Sequence, residues 1–441
     1  MTRACVNDHV ASPRVFLFLL LTAFVFPGLM IESGAGQTSS DASPIRFGAT
    51  ILIEPQGTGE TFVEPYLAVD PQNQSHLVAA AMKLPTGIAV FSSIDGGKHW
   101  SRHDIDRSEG DPSVAIARNG TVYVAYIGPR EEGHLTNVIK SEDGGLTWKA
   151  PIVVCGAKND PQDHPVLALE TTDSKVENTI YLGVSLSASD NYGERVSPVG
   201  LFKSSDGGHS FSGPTEILPN NFDNQNGSIA VSSNGRVILP FYELDIIDDA
   251  GSSRPLAHTR LWTSRSEDDG QKLSSPFFVA EAAVPGPPPT AQAMTNPERI
   301  LLTWVGDRRV GLWYSANAGR TWAESAWEDS TDVRSGAEMS TVAVTRGGIV
   351  GLAWIKRTAM SESGACYQLL FTASFDGGKT LRTSKAVPDA SWCARGRWSA
   401  GGDYFGLTSS QDGIFELMWA DARDGSFRLR FTTIRVTDRQ Q

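Results

Sequence analysis

The sequence predicts an all-β fold, a β-propeller of four-stranded antiparallel blades. Two observations carry this prediction: one octapeptide recurs six times along the chain, and pairs of short apolar strands accompany it. The composition of the 441 residues agrees, because 43 Gly, 11 Trp and 19 Phe suit short strands that are joined by tight turns. After residue 36 no segment shows helical periodicity.

The octapeptide follows the pattern Ser-x-Asp-x-Gly-x-Thr-Trp. Its copies begin 48 to 63 residues apart, which is the length of one blade with its loops. The copy that begins at Ser266 is degenerate, and the copy that begins at Ser315 has Asn317 in place of the Asp. The four other copies begin at Ser93, Ser141, Ser204 and Ser374.

The octapeptide has the chemistry of a hairpin turn. An Asp side chain accepts hydrogen bonds from the backbone N–H groups of the turn that follows it. Gly adopts a positive φ without a steric penalty, and the closing aromatic residue packs against the sheet. The pattern therefore predicts structural rather than catalytic roles for the Asp residues of the four good copies, which are Asp95, Asp143, Asp206 and Asp376.

The C-terminal unit lacks the octapeptide. Its apolar segments at residues 404–407, 415–419 and 427–436 give three strands where a blade needs four. Residues 45–53 are a strand left over at the N-terminus, and this strand would complete the last blade and close the ring. The count is then seven blades, whereas a six-bladed ring requires one unit to fold differently.

The N-terminus has the pattern of a signal peptide. Arg3 and Arg14 flank an apolar stretch at residues 15–26, and small residues follow at 33–36. The stretch is shorter than the roughly 20 residues that a membrane span needs. We therefore expect residues 1–36 to be a signal peptide and residues 37–441 to be one propeller domain, secreted or periplasmic, with no membrane span after cleavage.

Charge and cysteines limit the ligands. The formal net charge is −12, which argues against a nucleic-acid partner because such a partner needs a basic face. Cys366 and Cys393 flank one strand-turn-strand unit and are the predicted disulfide, which leaves Cys155 as a buried free thiol. The sequence has no CxxC pair and only 8 His, so no zinc site is predicted.

The repeated octapeptide resembles the Asp-box, or BNR repeat, of the sialidase superfamily, and the resemblance covers residues 45–437. Residues 70–73, 402–407 and 419–425 are similar to segments of secreted bacterial sialidase-like proteins. The resemblance implies a propeller that acts on glycans or binds them. In sialidases three arginines hold the substrate carboxylate, a tyrosine paired with a glutamate is the nucleophile, and an aspartate is the acid/base.

This sequence departs from the sialidase pattern in two places. The first arginine of the family lies in a Phe/Tyr-Arg-Ile-Pro motif, and the matching residues 62–65 have Val63 at that position. The acid/base aspartate is expected before the first box, but residues 82–92 contain no acidic residue. Tyr404 lies near the position of the nucleophilic tyrosine, and an inward-facing packing aromatic is the alternative interpretation. An exo-glycosidase of sialidase ancestry would therefore lack its usual first arginine.

Two arginines are candidates for binding an anionic ligand. They are Arg397 and Arg423, both near the last blade. Arg423 lies between Asp421 and Asp424, so a local ion pair is the alternative role for its side chain.

Several units carry a carboxylate where the innermost strand begins, which predicts a ring of acidic residues around the central channel. The predicted members of this ring are Glu64, Asp111, Asp163, Glu338 and Asp403. Three interpretations stay open: acid/base chemistry on a sugar, binding of a calcium or sodium ion, or capping of backbone N–H groups between blades. The sequence predicts no other cofactor.

Three hypotheses for the function follow. An enzyme, a glycoside hydrolase of sialidase-like type, requires Asp111, Asp163, Glu338 and Tyr404 to converge on one pocket that contains arginines. A non-catalytic propeller of the cell envelope, which binds a glycan or a protein, requires exposed aromatics, for which Trp392, Trp398 and Tyr192 are the candidates. A purely structural propeller requires neither. The irregular segments 187–198 and 284–289 are predicted rim loops.

Overall fold

The computed structural model describes residues 43–54, 59–129, 134–155, 161–169, 179–189, 195–217, 223–247, 256–284 and 286–438. The predicted signal peptide and Tyr192 lie outside these residues. The described residues form a seven-bladed β-propeller, as the repeat count predicted. Each blade is an antiparallel sheet whose first strand lies innermost. Among the described residues no helix is long and apolar enough to cross a membrane.

The first three blades follow one another along the chain. Blade 1 consists of Thr61–Val69, Leu77–Leu84, Ile88–Ser93 and Ser101–Ile105. Blade 2 consists of Gly110–Ile116, Val122–Ile127, Thr136–Ser141 and Ile152–Val154. Blade 3 consists of Gln162–Leu169, Ile180–Leu186, Val199–Ser204 and Ser212–Ile217, with a small hairpin of Ala188–Ser189 and Arg195–Val196 beside it.

The next three blades are less regular. Blade 4 begins with two short strands, Asp223–Asn226 and Ala230–Val231, and continues with Val237–Ile247, Leu256–Ser266 and Phe277–Ala282. Blade 5 consists of Thr290–Ala293, Ile300–Gly306, Arg309–Ser315 and Ala323–Glu324. Blade 6 consists of Ala337–Val344, Val350–Ser361, Gly364–Ser374 and Lys385–Ala394. Two short strands, Ala326–Trp327 and Thr380–Leu381, pair in parallel. A four-residue helix, Thr331–Arg334, lies between blades 5 and 6 in the chain.

Blade 7 joins the two ends of the propeller. Its first three strands are Gly406–Gln411, Ile414–Asp421 and Arg428–Val436. The fourth position is filled from the N-terminal side by Ile45–Phe47 and Ile51–Leu52, with Ile45 opposite Val436. The predicted closure by the N-terminal strand is therefore confirmed, and it covers a sheet edge that would otherwise be open.

Each Asp-box lies in the hairpin between the third and fourth strands of its blade. In blade 3, Asp206 accepts hydrogen bonds at 3.0 Å from the backbone N–H groups of His209 and Ser210. Ser204 Oγ accepts another from the N–H of Gly208 at 2.9 Å. The Ser210 hydroxyl and the backbone donors lower the pKa of Asp206 to about 2. The oxygens of this carboxylate are therefore occupied by hydrogen bonds within the turn.

The degenerate box has the same geometry. Asp268 accepts a hydrogen bond from the N–H of Lys272 at 2.9 Å, and Ser266 Oγ accepts one from the N–H of Gly270 at 2.8 Å. Asn317 replaces Asp without loss, since its Oδ1 accepts from the N–H of Thr321 at 2.9 Å. Six boxes are thus formed in the described chain, one for each of blades 1 to 6.

The boxes also join each blade to the one before it. The Gly144 carbonyl accepts a hydrogen bond from Ser92 Oγ of blade 1 at 2.6 Å. The Gly207 carbonyl accepts one from the Tyr123 hydroxyl of blade 2 at 3.2 Å. Gly208 packs against the same tyrosine so closely that an added Cβ would lie 2.9 Å from its ring. The octapeptide therefore serves the ring as well as its own hairpin.

The cysteines differ in part from expectation. Cys366 and Cys393 lie opposite each other on paired strands of blade 6 and form a disulfide. Cys155 is a free thiol, but it is exposed rather than buried as predicted. The reason is its position just after Ile152–Val154, the short outer strand of blade 2, where no further sheet covers it.

Candidate active site

The inner strands converge on one cavity of about 480 Å³ at the centre of the ring. Carboxylates from blades 1, 2, 3 and 6 and from the segment before blade 7 line it. They are the five predicted ring members, Glu64, Asp111, Asp163, Glu338 and Asp403. The predicted rim loop at 284–289 contributes Val284, Gly286 and two prolines to the lining. A cavity of this size falls within the usual range of small-molecule sites.

A β-bulge places the acidic side chains of blades 1 and 2. Glu64 and Asp111 have positive φ angles of 56° and 52°, and the pairing register shifts at both residues. His164 of blade 3 has the same conformation, with φ of 49°. A proline follows each of the three residues. Non-glycine residues adopt this conformation rarely, and a bulge is a usual device for re-aiming a side chain.

The bulge corrects one detail of the sequence analysis, which placed Asp163 at the position equivalent to Glu64 and Asp111. His164 occupies that position, and Asp163 precedes it. The proline that follows the bulged residue was the available signal. Asp163 nevertheless reaches the same cavity, because the register shift lies between Asp163 and Val166.

Asp111 and Asp163 form a carboxyl pair. Both side chains line the cavity, and a hydrogen bond between two carboxyl groups needs a proton on one of them. Burial and the neighbouring charge of Asp163 raise the pKa of Asp111 to about 7. The Asp111 carboxyl is therefore partly protonated at neutral pH. The side chain of Asp163 is exposed to solvent.

Glu64 is the most buried of the five carboxylates and is 2 % exposed. Its Oε1 accepts a hydrogen bond from the backbone N–H of Asp403 at 3.2 Å, while its Oε2 has no hydrogen-bond partner within the described structure. Burial and the charges of Asp111 and Asp403 raise the pKa of Glu64 well above its usual range. Gly402 is required here, since a Cβ at that residue would lie 2.3 Å from Cγ of Glu64.

His164 also lines the cavity, although it was not among the predicted site residues. It is 7 % exposed, and burial lowers its pKa to about 4, so the imidazole is neutral at pH 7. One ring nitrogen bonds the backbone of Asn226. The other, Nδ1, has no partner within the described structure.

Tyr404 packs rather than stands free. Its ring makes edge contacts with Tyr66 and His164, at centroid distances of 5.3 and 5.4 Å. Its hydroxyl donates a hydrogen bond to the Pro112 carbonyl at 3.3 Å, next to Asp111. Burial, followed by the charge of Glu64, raises the pKa of Tyr404 well above its usual range. This environment opposes formation of a phenolate.

Glu338 is held on the blade 6 side by two arginines. Arg308 contacts both of its oxygens, at 3.0 and 3.2 Å, and Arg357 lies 3.3 Å from Oε1. Burial raises the pKa of Glu338, and the charge of Arg308 opposes that rise. Arg308 was not predicted. It projects from a two-residue turn with Asp307 in which both residues have positive φ.

The two predicted substrate-binding arginines lie in different places. Arg397 lines the cavity, and its guanidinium lies 4.4 Å from the ring centroid of Trp398. Arg423 binds Asp421 through its Nε at 3.0 Å and is not among the cavity-lining residues. Of the predicted binding aromatics, Trp398 lines the cavity, whereas Trp392 is buried against Tyr367 and is 4 % exposed.

Among the described residues, no group of three or more His, Cys, Asp or Glu side chains is arranged to hold a metal ion. The calcium or sodium ion that the carboxylate ring led us to consider stays a prediction.

Comparison with known proteins shows similarity in fold. No protein-family model and no curated protein sequence matches the chain. An α-L-arabinofuranosidase of Fusarium graminearum, solved with an iminosugar inhibitor, aligns at 12 % identity over 90 % of this chain and 99 % of its own, with a TM-score of 0.51. An α-L-arabinanase of Penicillium chrysogenum, solved with arabinobiose, aligns at 11 % identity over 89 % of this chain and 99 % of its own, also at 0.51.

A sialidase of Trypanosoma rangeli aligns more weakly. The identity is 16 %, the alignment covers 85 % of this chain and 54 % of the sialidase, and the TM-score is 0.39. The chain thus has a propeller fold that glycosidases also have. These similarities do not single out sialidases.

Proposed function

We propose that the protein is a glycoside hydrolase whose reaction takes place in the central cavity. The observation that carries the proposal is that the Asp111–Asp163 pair and Glu338 line the same cavity. Glycoside hydrolysis generally uses one protonated and one ionised carboxyl group on opposite sides of the scissile bond. The pair supplies a carboxyl with a pKa of about 7, and Glu338 is a carboxylate held by Arg308 and Arg357.

The proposed roles follow from these environments. Asp111 donates its proton to the glycosidic oxygen as the bond to the anomeric carbon breaks, so that the leaving group departs as an alcohol. Burial and the negative charge of Asp163 keep that proton on Asp111 near neutral pH. The Glu338 carboxylate stabilises the positive anomeric carbon from the other side and, directly or through a water molecule, completes the displacement.

Sialidase chemistry is the less favoured form of this proposal. Val63 is buried where the family has its first arginine, and Arg308 is already bound to Glu338. Tyr404 donates its hydroxyl proton to a backbone carbonyl rather than to a carboxylate. A site with five carboxyl groups also disfavours a substrate that carries a carboxylate of its own. The signal-peptide pattern of residues 1–36 supports the further proposal that the hydrolase is secreted.

The test is a hydrolysis screen of the purified protein against aryl glycosides of neutral sugars, amino sugars and sialic acid. We expect turnover of a non-sialoside, and we expect Asp111→Asn and Glu338→Gln each to lower kcat by about 10²- to 10⁴-fold. Glu362→Gln is the matched control, because Glu362 is exposed and lies outside the cavity. Binding of a glycan without turnover of any glycoside would instead indicate a binding module.

A further inference from the structure

The cavity has two chemically different walls. On the blade 6 side, Glu338 is neutralised by Arg308 and Arg357. The other side, which we call the acidic wall, consists of Glu64, Asp111, Asp163 and Asp403. Arg397 is a cavity-lining arginine whose charge acts on this wall. It opposes the rise in the pKa of Glu64 and of Asp403. Carboxyl groups therefore outnumber cations on the acidic wall.

Two buried polar atoms beside this wall have no hydrogen-bond partner within the described structure. They are Oε2 of Glu64 and Nδ1 of His164, on side chains that line the cavity. A buried polar atom without a partner costs about 1–3 kcal/mol, so native structures rarely retain one without a reason. Since the other ring nitrogen of His164 bonds the backbone of Asn226, the neutral ring leaves Nδ1 as an acceptor. His164 Nδ1 thus lacks a donor, and Glu64 Oε2 lacks a partner.

We propose that the acidic wall binds the protonated amino group of an amino sugar, which would make amino-sugar glycosides the substrate class. This inference rests on the proposed hydrolase function. An ammonium group presents three N–H donors and no acceptor, and the acidic wall presents acceptors at Asp111, Asp163 and Asp403. A neutral hydroxyl supplies one donor, and a carboxylate supplies none.

The raised pKa values of the acidic wall without a ligand agree with a site for a cationic ligand. Without one, the carboxyl groups repel each other, and their charges together with burial raise the pKa of Asp111 and of Glu64. A bound cation reverses that effect, because an opposite charge nearby favours the ionised carboxylate. Binding of the amine should therefore release a proton from the protein.

The test is titration calorimetry of the whole protein at pH 6.5 with D-glucosamine and D-galactosamine, each compared with its N-acetyl form. N-acetylation removes the charge of the amine and leaves the ring. We expect the free amines to bind about tenfold more tightly, as a charge-assisted contact predicts. Repeating the titration in phosphate and in bis-Tris, which both buffer at this pH and differ in ionisation enthalpy, should reveal release of a proton.

Two variants separate the acidic wall from general charge effects. Asp403→Asn and Asp163→Asn should each remove most of the preference for the amine and change the affinity for the N-acetyl sugar little, while Glu362→Gln should leave both unchanged. Equal binding of amine and N-acetyl forms, or no binding of either, would overturn the inference. If the protein hydrolyses neutral glycosides but binds the amine and N-acetyl sugars equally, the amine site is wrong and the hydrolase proposal stands. If the protein binds the amine forms selectively but hydrolyses no glycoside, the hydrolase proposal is wrong and the amine site stands.

Discussion

Asp111 owes its properties to its neighbours rather than to its place in the repeat. The same bulge holds Glu64 and His164, but of these three residues only Asp111 has its pKa raised by a side-chain hydrogen bond with a neighbouring carboxyl group, Asp163. Burial alone would raise its pKa, and the charge of Asp163 adds to that rise. Because Asp163 contributes to the raised pKa of Asp111, a change at Asp163 should be measurable at Asp111.

The pH profile tests this coupling. The rate of glycoside hydrolysis should fall as the pH rises through about 7, because Asp111 then loses the proton that it must donate. Asp163→Asn removes the neighbouring negative charge, so the pKa of Asp111 should drop and the alkaline limb of the kcat profile should move to lower pH. An unchanged limb in this variant would show that another group is the acid.

Tyr404→Phe tests the role of the tyrosine. The variant loses the hydroxyl that holds the Pro112 carbonyl beside Asp111 but keeps the ring contacts with Tyr66 and His164. If Tyr404 only positions the acid, kcat should fall by no more than about tenfold and the pH profile should shift. If it is the nucleophile, kcat should fall by about a thousandfold or more with every glycoside.

The cavity residues could be predicted from the sequence only in part. The carboxylates could be predicted because each lies at or just before the start of an inner strand, and the inner strands of a ring must converge. The pairing of Asp111 with Asp163 was not visible, because a bulge moves the residue that points inward by one position. His164 and Arg308 were not predicted for a related reason. The direction of each side chain depends on a positive φ that the sequence alone did not indicate.

Among the elements, the Asp-box hairpins were the most predictable. Their turn chemistry is local, so Asp206 and Asp268 bind their own backbones as expected even where the pattern is degenerate. Their contacts with the preceding blade were not predicted, because no local pattern names the partner. The Gly207 and Ala318 carbonyls accept side-chain donors from the blade before them, Tyr123 and Arg265.

A pair of glycine substitutions isolates this inter-blade contact. Both Gly207 and Gly208 have positive φ, at 69° and 78°, so an Ala is strained at either position. A Cβ at Gly208 would lie 2.9 Å from Tyr123, whereas at Gly207 the nearest atom is 3.8 Å away. We expect Gly207→Ala to lower the free energy of unfolding by about 1 kcal/mol and Gly208→Ala by about 3 kcal/mol. Equal losses in chemical denaturation would deny a role for the contact.

At the scale of the whole molecule, the ring is closed by strand pairing between the chain's two ends. Ile45 packs in the same apolar cluster as residues of blades 1, 6 and 7, and it is 4 % exposed. The seven-blade count and this closure were predicted because the last unit has three strands and one strand is left over at the N-terminal side; the six-bladed alternative is wrong. The disulfide of blade 6 adds a covalent link between two of its strands.

Substitution in the closing strand tests the dependence of the ring on that strand. Ile45→Asp places a charge in the apolar cluster and should lower the free energy of unfolding by about 3 kcal/mol or more. Arg46→Asp is the matched control, because Arg46 is the next residue and its side chain is exposed. Its effect should stay within about 0.5 kcal/mol in the same denaturation measurement. Similar losses for both variants would show that charge, rather than burial, decides the outcome.

The position of the chain ends has a consequence for how the protein comes apart. Every box lies in a hairpin between a third and a fourth strand, and in blade 7 that hairpin does not exist because the fourth strand comes from the N-terminal side. Within the described residues, the boxes of blades 1 to 6 each contact the preceding blade, so the boundary between blades 6 and 7 is the one without a box. We expect amide hydrogens along this boundary to exchange with solvent sooner than those at the other six, which makes the sector that joins the termini the first to open.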